Sequence, residues 1–454
     1  MDKKYFDFGI VGAGPAGYTA AIRASQLGKT VVLFEKENLG GVCLNKGCIP
    51  TKAFLHSADV YNSLKKISNL GINIENYSLD FAKVADRKEK TVEKIRKSLE
   101  MLLKSYNIEI VYGEAKCKVQ NAKSDNNSRL TSHVSLIEAN GEVFECANIL
   151  IATGAEPKCV GRFQFDHEFI LSSDDVLNLK TLPQKVVIVG SGAIGIEWAR
   201  IFSAFGTEVT IVEIADKLLP LADVEISQRL ERTFKMSRIK MFLSTSVKEI
   251  RGKKVTLSSG EVLESDFVLF ATGRKANIVG LENPTYKDSS HVSRLTSHAI
   301  GDCSGGIQLA HFASHQGVAV VENIVLGKEI KEFITPSVVY GSPEIAWGGK
   351  CEQELEGTVY KKSVFPISAL GKAHCDGDLE GFIKILADEN GKILGVHIIG
   401  AEASALIHQL TISMQNGLKV ENLKHCCFAH PTYSEGVYEA LLGIDGESLS
   451  MLKA

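Results

Sequence analysis

The chain lacks the features that would tie it to a membrane, a polyanion or an oxidising compartment. Its 454 residues hold 51 basic and 54 acidic side chains, a formal net charge of −3, so no overall field draws it to nucleic acid or an anionic surface. No apolar run approaches the ~20 residues that span a bilayer. Runs such as FVLFATG (267–273) are far shorter. The first residues, MDKKYFDFGIVGAG, pass straight into a strand pattern, which predicts no leader peptide. Ten cysteines in a chain of this length make no disulfide scaffold. The expected compartment is reducing and cytoplasmic, where a disulfide is more often catalytic than structural. What remains is an ordinary globular composition, 44% hydrophobic and 23% charged, long enough for about three domains.

Two copies of one unit organise the first 280 residues. YFDFGIVGAG, PAGYTAAIRASQLG and TVVLFE read as strand, helix and strand; KVVIVG, AIGIEWARIFSAFG and TEVTIVE repeat the pattern. Each copy is closed by a buried strand ending in Ala-Thr-Gly, ILIATGAEP (149–157) and VLFATGRKA (268–276). Residues 84–106 form a charged helical stretch with apolar spacing at Val92, Ile95, Leu99 and Leu102–Leu103, read as a solvated surface helix. After about 333 the pattern changes to SVVYGSPEIAWGG, EGFIKILAD and KILGVHIIG with helices beyond 402, a separate α+β region. The fold class is therefore α/β, two Rossmann-like dinucleotide-binding domains plus a C-terminal α+β domain. The expected segments are 1–155, 156–275, 276–332 (a return to the first domain) and 333–454. The phrase SRLTSH occurs at 128–133 and again at 293–298, with no chemistry attached to it.

GAGPAG places Gly12, Gly14 and Gly17 at a strand-to-helix turn, and GSGAIG does the same with Gly190, Gly192 and Gly195. The first glycine permits the turn, the second lets a pyrophosphate approach the helix N-terminus, and the third lets helix and strand pack. A lone GxGxxG is weak. Here each follows a strand, opens a helix and is answered at the end of the next strand by an acid, Glu35 or Glu213, that can accept from a ribose. A carboxylate at 213 favours a free 2′-hydroxyl, hence NAD over NADP, and Lys217 beyond it reads as solvent-facing. Two dinucleotide sites beside a cysteine pair suggest a relay with FAD in one site and NAD in the other.

That pair is Cys43 and Cys48 in GGVCLNKGCIPTKA. The spacing is open to zinc, with Cys427 and His430 of CCFAH completing four ligands. It is also open to redox exchange. Residues five apart in a straight helix have Cα atoms roughly 8–9 Å apart, too far for a disulfide, which requires less than about 7 Å. A bridge therefore needs the helix bent or interrupted, and Gly47 and Pro50 are the residues able to do it. HPTYSE sets His430 five residues before Glu435; a carboxylate that orients a histidine makes it a better base.

On these motifs the chain resembles the flavin disulfide reductases, and among them the dihydrolipoamide dehydrogenases, from Tyr5 to about Leu442. GGVCLNKGCIPTKA resembles their redox stretch, GSGAIGIE with VEIADKLLP their NAD site, and AIGDC, QLAH and HPTYSE their flavin and base motifs. The resemblance implies catalysis by Cys43, Cys48, His430 and Glu435. It assigns FAD to Gly12, Gly14, Gly17, Glu35, Lys52, Ala115, Thr153, Gly154, Asp302, Gln308, Leu309, Ala310 and His311. It assigns NAD to Gly190, Gly192, Ile194, Gly195, Glu197, Glu213, Val247 and Gly273, with Lys52 and Glu197 matching an ion pair beside the flavin. No resident metal is implied. The implied partners are dihydrolipoamide on the lipoyl domains of 2-oxoacid dehydrogenase complexes and a second copy of the chain, whose cysteines His430 and Glu435 would reach. A glutathione reductase-like disulfide reductase and a zinc-stapled nucleotide-binding scaffold are the competing readings. The chain departs from the family pattern at Val42 (usually threonine), at 314–316 (usually acidic), at the extra Cys426 and in a shortened segment at 284–298.

Overall fold

The computed structural model describes residues 4–118, 135–277 and 297–451. The chain divides into two compact units: one comprises Met1–Ala53, Ala85–Lys158 and Arg274–Glu332, the other Phe54–Val84, Cys159–Gly273 and Phe333–Ala454. The second nucleotide fold and the C-terminal segment belong to one unit, together with Phe54–Val84.

In the first unit VVLFE forms the strand Val31–Glu35, buried along its whole length because the sheet is covered on both faces. Val31 and Leu33 pack with Ala20, Ala21 and Ala24 of the helix Pro15–Gln26, whereas Val32 and Phe34 face Ile137 and Phe144. Among the described residues the sheet order is Glu109–Tyr112, Val31–Glu35, Lys4–Val11, Glu142–Ile151, Ser135–Ala139, Ala115–Lys118. The first four strands are parallel and the last two antiparallel. Ser297–Ala299 runs parallel to Ile149–Ile151 and leads into a short 3-10 turn, Gly301–Ser304. The last two residues of the second SRLTSH thus lie in a strand that delivers Asp302. The first copy and the rest of the shortened segment, 284–296, lie outside the described residues.

The second unit repeats the architecture with the parallel order Lys240–Phe242, Glu208–Val212, Lys185–Val189, Phe267–Phe270, Ile170–Leu171. Its glycine-turn helix, Ala193–Ala204, is buried at every residue from Gly195 to Phe202. C-terminal to it, five antiparallel strands are ordered Ser337–Val339, Glu344–Gly349, Ile393–Gly400, Phe382–Ala387, Lys361–Pro366. The helices Ala403–Gln415 and Ser434–Gly443 pack Leu406, Leu410, Val437 and Leu441 on Ile383, Ile385, Val396 and Ile398 of that sheet. Of the charged stretch, Phe81–Ser105 is helical; Val92, Leu99 and Leu103 are buried while Ile95 and Leu102 are exposed. No helix among the described residues is long and apolar enough to cross a membrane.

The repeat extends to single hydrogen bonds. Gly12 N–H donates to Phe34 O at 2.8 Å and Gly190 N–H to Val212 O at 2.9 Å. Ala152 N–H donates to Val11 O and Ala271 N–H to Val189 O, both at 2.8 Å. The Ala-Thr-Gly phrases are thus the strand ends on which the glycine turns rest. Gly12 (φ +103) and Gly190 (φ +99) are left-handed, and a Cβ on either would strike the carbonyl of Ala152 or Ala271. A Cβ on Gly17 or Gly195 would be driven into the carbonyl of Gly12 or Gly190. Gly17→Ala and Gly195→Ala are each expected to lower unfolding free energy by about 1–3 kcal/mol through overpacking; denaturant melts matching wild type would contradict this close approach.

Candidate active site

Both glycine-turn helices start without a side-chain cap: Gly14 and Gly192 are the N-cap residues, in extended conformation. Their first-turn N–H groups and positive dipole ends are thereby available to an anion. Among the described residues, chain neighbours aside, nothing lies within 4 Å of a Cβ built on Gly192, and for Gly14 the nearest atom is 3.8 Å away. The space each missing side chain leaves is where a pyrophosphate would sit, so the residues present fit the dinucleotides expected from the sequence.

Glu35 and Glu213 tie the strand end back to the glycine turn. Glu35 accepts from Ala13 N–H through Oε2 and from Glu37 N–H through Oε1, both at 2.9 Å. Glu213 accepts from Ser191 N–H and Ser191 Oγ–H through Oε2, both at 2.7 Å, and from Ala215 N–H through Oε1 at 2.9 Å. A carboxylate offers about four acceptor positions. Glu35 therefore keeps one on each oxygen, suited to a pair of ribose hydroxyls, whereas Glu213 keeps only one, on Oε1. Lys217 is not solvent-facing as expected: it is half-buried and its ammonium donates to Ala222 O at 2.8 Å, because the loop after Glu213 folds back on itself.

Around the first site, Thr153 Oγ donates to Asn277 O, and Gly154 O accepts from Asn277 N–H at 2.9 Å. Asp302 is half-buried. Burial raises its carboxyl pKa and Arg274 partly offsets that. Leu309 caps the helix Ala310–Leu326, which His311 helps begin, with Gln308 just before it. Ala115 opens a sheet strand and Lys52 lies half-buried in the helix Cys48–Leu64. Around the second site, Ile194 occupies the first turn of its helix, Glu197 is buried and accepts from Tyr340 N–H at 3.1 Å, and Gly273 is left-handed at φ +95. Val247 opens a strand and packs toward the core of Val187 and Val189.

Cys43 and Cys48 are joined in a disulfide with their Cα atoms 4.7 Å apart. The helix is interrupted: Gly41–Lys46 ends, Gly47 departs from helical geometry (φ −151, ψ −110), and Cys48 begins Cys48–Leu64. A Cβ on Gly47 would sit 3.1 Å from Val42 O, so its bareness lets the second helix close on the first. Pro50 falls in the first turn of the second helix, where a missing N–H costs nothing. The two sulfurs are not equivalent. Cys48 opens a 17-residue helix, whose N-terminus stabilises a thiolate there. Sulfurs committed to each other cannot serve zinc as thiolates, and among the described residues no group of three His, Cys, Asp or Glu is arranged to hold a metal ion. Burial pushes Cys117 to about 11 and Cys146 and Cys351 to about 12, so those thiols stay protonated.

In the second unit His430 Nδ1 lies 2.8 Å from Glu435 Oε1. A carboxylate only accepts, so Nδ1 carries the proton and Nε2 holds the free lone pair. The imidazole is 76% exposed in this chain. Glu435 also accepts from Thr432 N–H at 2.9 Å through Oε2. Burial raises the Glu435 carboxyl, but the bonds from His430 and Thr432 outweigh it and hold it below the usual glutamate range.

The pyridine nucleotide-disulphide oxidoreductase family profile matches residues 6–317, and that family's dimerisation domain matches 335–441. The chain belongs to this family. A Bacillus subtilis (strain 168) protein named dihydrolipoyl dehydrogenase is 35% identical over 478 residues, 98% of this chain and 99% of its own. The crystal structure of LpdA from Mycobacterium tuberculosis is similar with a TM-score of 0.86 at 25% identity, covering 97% of this chain and 99% of that one. The HOCl-induced flavoprotein disulfide reductase RclA from Escherichia coli gives 0.81 at 25% identity, over 96% and 99%.

The chain, an oxidoreductase of this family, supports these groups with residues to which the motifs assigned no role. Ser191 and Ala13 hold the two acids. Gln316 accepts from Gly301 N–H at 2.6 Å and so sets the turn that carries Asp302. Thr432 was findable: Thr-x-x-Glu ahead of a helix is the spacing at which a glutamate reaches back to a backbone N–H. Gln316 stood out only within the 314–316 departure from the family pattern, and its bond was not legible there, since its partner lies 15 residues away. Because the folded state lowers the Glu435 pKa from 4.5, its stabilisation is present above pH 4.5 and is lost as pH falls through the lowered value. The melting-temperature difference between wild type and Glu435→Gln should hold steady above pH 4.5 and shrink in stronger acid; a difference that ignores pH would contradict a charged Glu435.

Proposed function

We propose that the chain is a dihydrolipoyl dehydrogenase: it oxidises dihydrolipoamide carried on lipoyl domains of 2-oxoacid dehydrogenase complexes and delivers the electrons to NAD⁺. The observation that carries this is the Cys43–Cys48 disulfide across the break at Gly47, with Cys48 heading a long helix. The near full-length likeness to the Bacillus subtilis protein of that name supports it.

In this reading His430 Nε2 takes a proton from one substrate thiol. The thiolate attacks Cys43 Sγ, the Cys43–Cys48 bond breaks, and Cys48 leaves as a thiolate. The helix N-terminus makes Cys48 the better leaving group. The second substrate thiol then attacks the substrate sulfur of the mixed disulfide, and its proton goes to the departing Cys43 Sγ. The cyclic disulfide is released and Cys43 is freed, so two electrons now reside on the cysteine pair. FAD, held by Gly12, Gly14, Gly17, Glu35 and Asp302, supplies the two-electron step between that dithiol and nicotinamide. Gly190, Gly192, Gly195 and Glu213 hold NAD, and Glu213 selects against a 2′-phosphate. Glu435 keeps the His430 proton on Nδ1 throughout. The dimerisation domain lets His430 of one subunit serve the disulfide of its partner, in the cytoplasm, where the eight other cysteines remain thiols.

Cys48→Ser should keep a yellow, flavin-loaded protein while dihydrolipoamide oxidation falls to background; a variant that still turns over would remove the relay. His430→Gln should slow dihydrolipoamide oxidation by about 10²–10⁴ while sparing NADH-driven reduction of an artificial dye. Equal losses in both assays would take the base role from His430. Activity on glutathione disulfide with NADPH in place of this pair would favour the glutathione reductase-like reading.

A further inference from the structure

The loop after Glu213 is held from outside the nucleotide fold, by the C-terminal part of the same unit. Its inner contact is on the glycine turn: Leu219, left-handed at φ 47, donates its N–H to Ser191 O at 3.1 Å. That is an uphill conformation for a leucine and needs support. Three consecutive residues supply it. Cys351 Sγ reaches Leu221 O at 3.5 Å, Glu352 N–H donates to Asp223 Oδ2 at 3.0 Å, and Gln353 Nε2 donates to Ala222 O at 2.9 Å. Behind them Lys384, fully buried, donates to Asp223 Oδ1 at 2.8 Å and to Glu352. Asp223 is itself fully buried and caps the next helix by accepting from Glu225 N–H at 3.0 Å. His397 Nε2 donates to Lys350 O at 3.0 Å, and its buried Nδ1 has no hydrogen-bond partner among the described residues. Burial lowers its pKa, so it stays neutral and leaves Asp223 to Lys384.

We infer that Cys351–Gln353 and Lys384 are positioning residues for NAD: they fix the 214–223 loop, and through Leu219 on Ser191 they fix the carboxylate of Glu213 and its single remaining acceptor position. A buried ion pair that also takes two backbone N–H bonds at one loop end is more than packing needs, since an apolar pair would fill the same space. The inference rests on Glu213 holding the NAD ribose, as proposed above.

The test uses the flavin-loaded dimer and three variants: Gln353→Ala, the double variant Asp223→Asn with Lys384→Met, and Glu213→Ala as reference. Each is measured for NADH binding by fluorescence titration and for KM and kcat with NAD⁺. One lost hydrogen bond at the loop predicts about a twofold to tenfold rise in NADH Kd and in KM for Gln353→Ala, with kcat, flavin content, KM for the thiol substrate and melting temperature unchanged. The double variant, which leaves no unpaired buried charge, should show the same direction. If Glu213→Ala raises Kd but both other proteins bind as wild type, the positioning role is wrong and the site reading survives. If Glu213→Ala leaves Kd unchanged, the site reading itself fails, and this inference with it.

Discussion

Two backbone segments, a glycine turn and the end of a strand closing in Ala-Thr-Gly, meet with no room for a Cβ between them. At Gly12 against Ala152 and at Gly190 against Ala271 the carbonyl of one occupies the place a side chain would need on the other. From that approach follow the direction of the helix, its uncapped N-terminus, and the hydrogen bonds by which Glu35 and Glu213 reach back to Ala13 and Ser191. A longer side chain at either glycine would lift the turn from its floor and carry the helix dipole and both acids with it. The dinucleotide sites therefore depend on backbone contact more than on any side chain lining them.

The same economy operates at the cysteines. One residue without a side chain, Gly47, ends a short helix and lets a long one begin against it, which brings Cys43 and Cys48 to 4.7 Å between Cα atoms. The break also makes the two sulfurs unequal: Cys48 opens the long helix, whose N-terminal field favours a thiolate there, and Cys43 lies in the short one. His430 complements this with a proton fixed on Nδ1 by Glu435 and a lone pair presented on Nε2. Glu435 is in turn fixed by Thr432 N–H, so the base is oriented by bonds made within six consecutive residues.

Most of this was legible because its determinants are local. Glycine spacing, the acid 23 residues on, the cysteine pair and His-x4-Glu each report a constraint acting within a strand–helix–strand unit or a single turn. The two Ala-Thr-Gly phrases were visible as repeats, but their purpose was not, because the glycines they support lie 140 and 81 residues upstream (152 − 12 and 271 − 190). The Lys217 side chain was misplaced for the same reason. A lysine that follows the acid at a strand end reads as solvated until the loop is seen to fold a carbonyl toward it.

By itself, the order of residues determined two nucleotide folds, the need for a broken helix between Cys43 and Cys48, and the imidazole–carboxylate pair. Each arises from bond geometry and dipoles among near neighbours in the chain. Only the tertiary structure decided which acceptor positions Glu35 and Glu213 have left, that Gln316 sets the turn of Asp302, and that Lys384 meets Asp223 in a fully buried pair 161 residues apart. Those outcomes belong to groups whose partners are chosen by sheet order and packing, and burial then makes the choice binding, since a polar group taken from water must keep whatever partner the fold has brought to it.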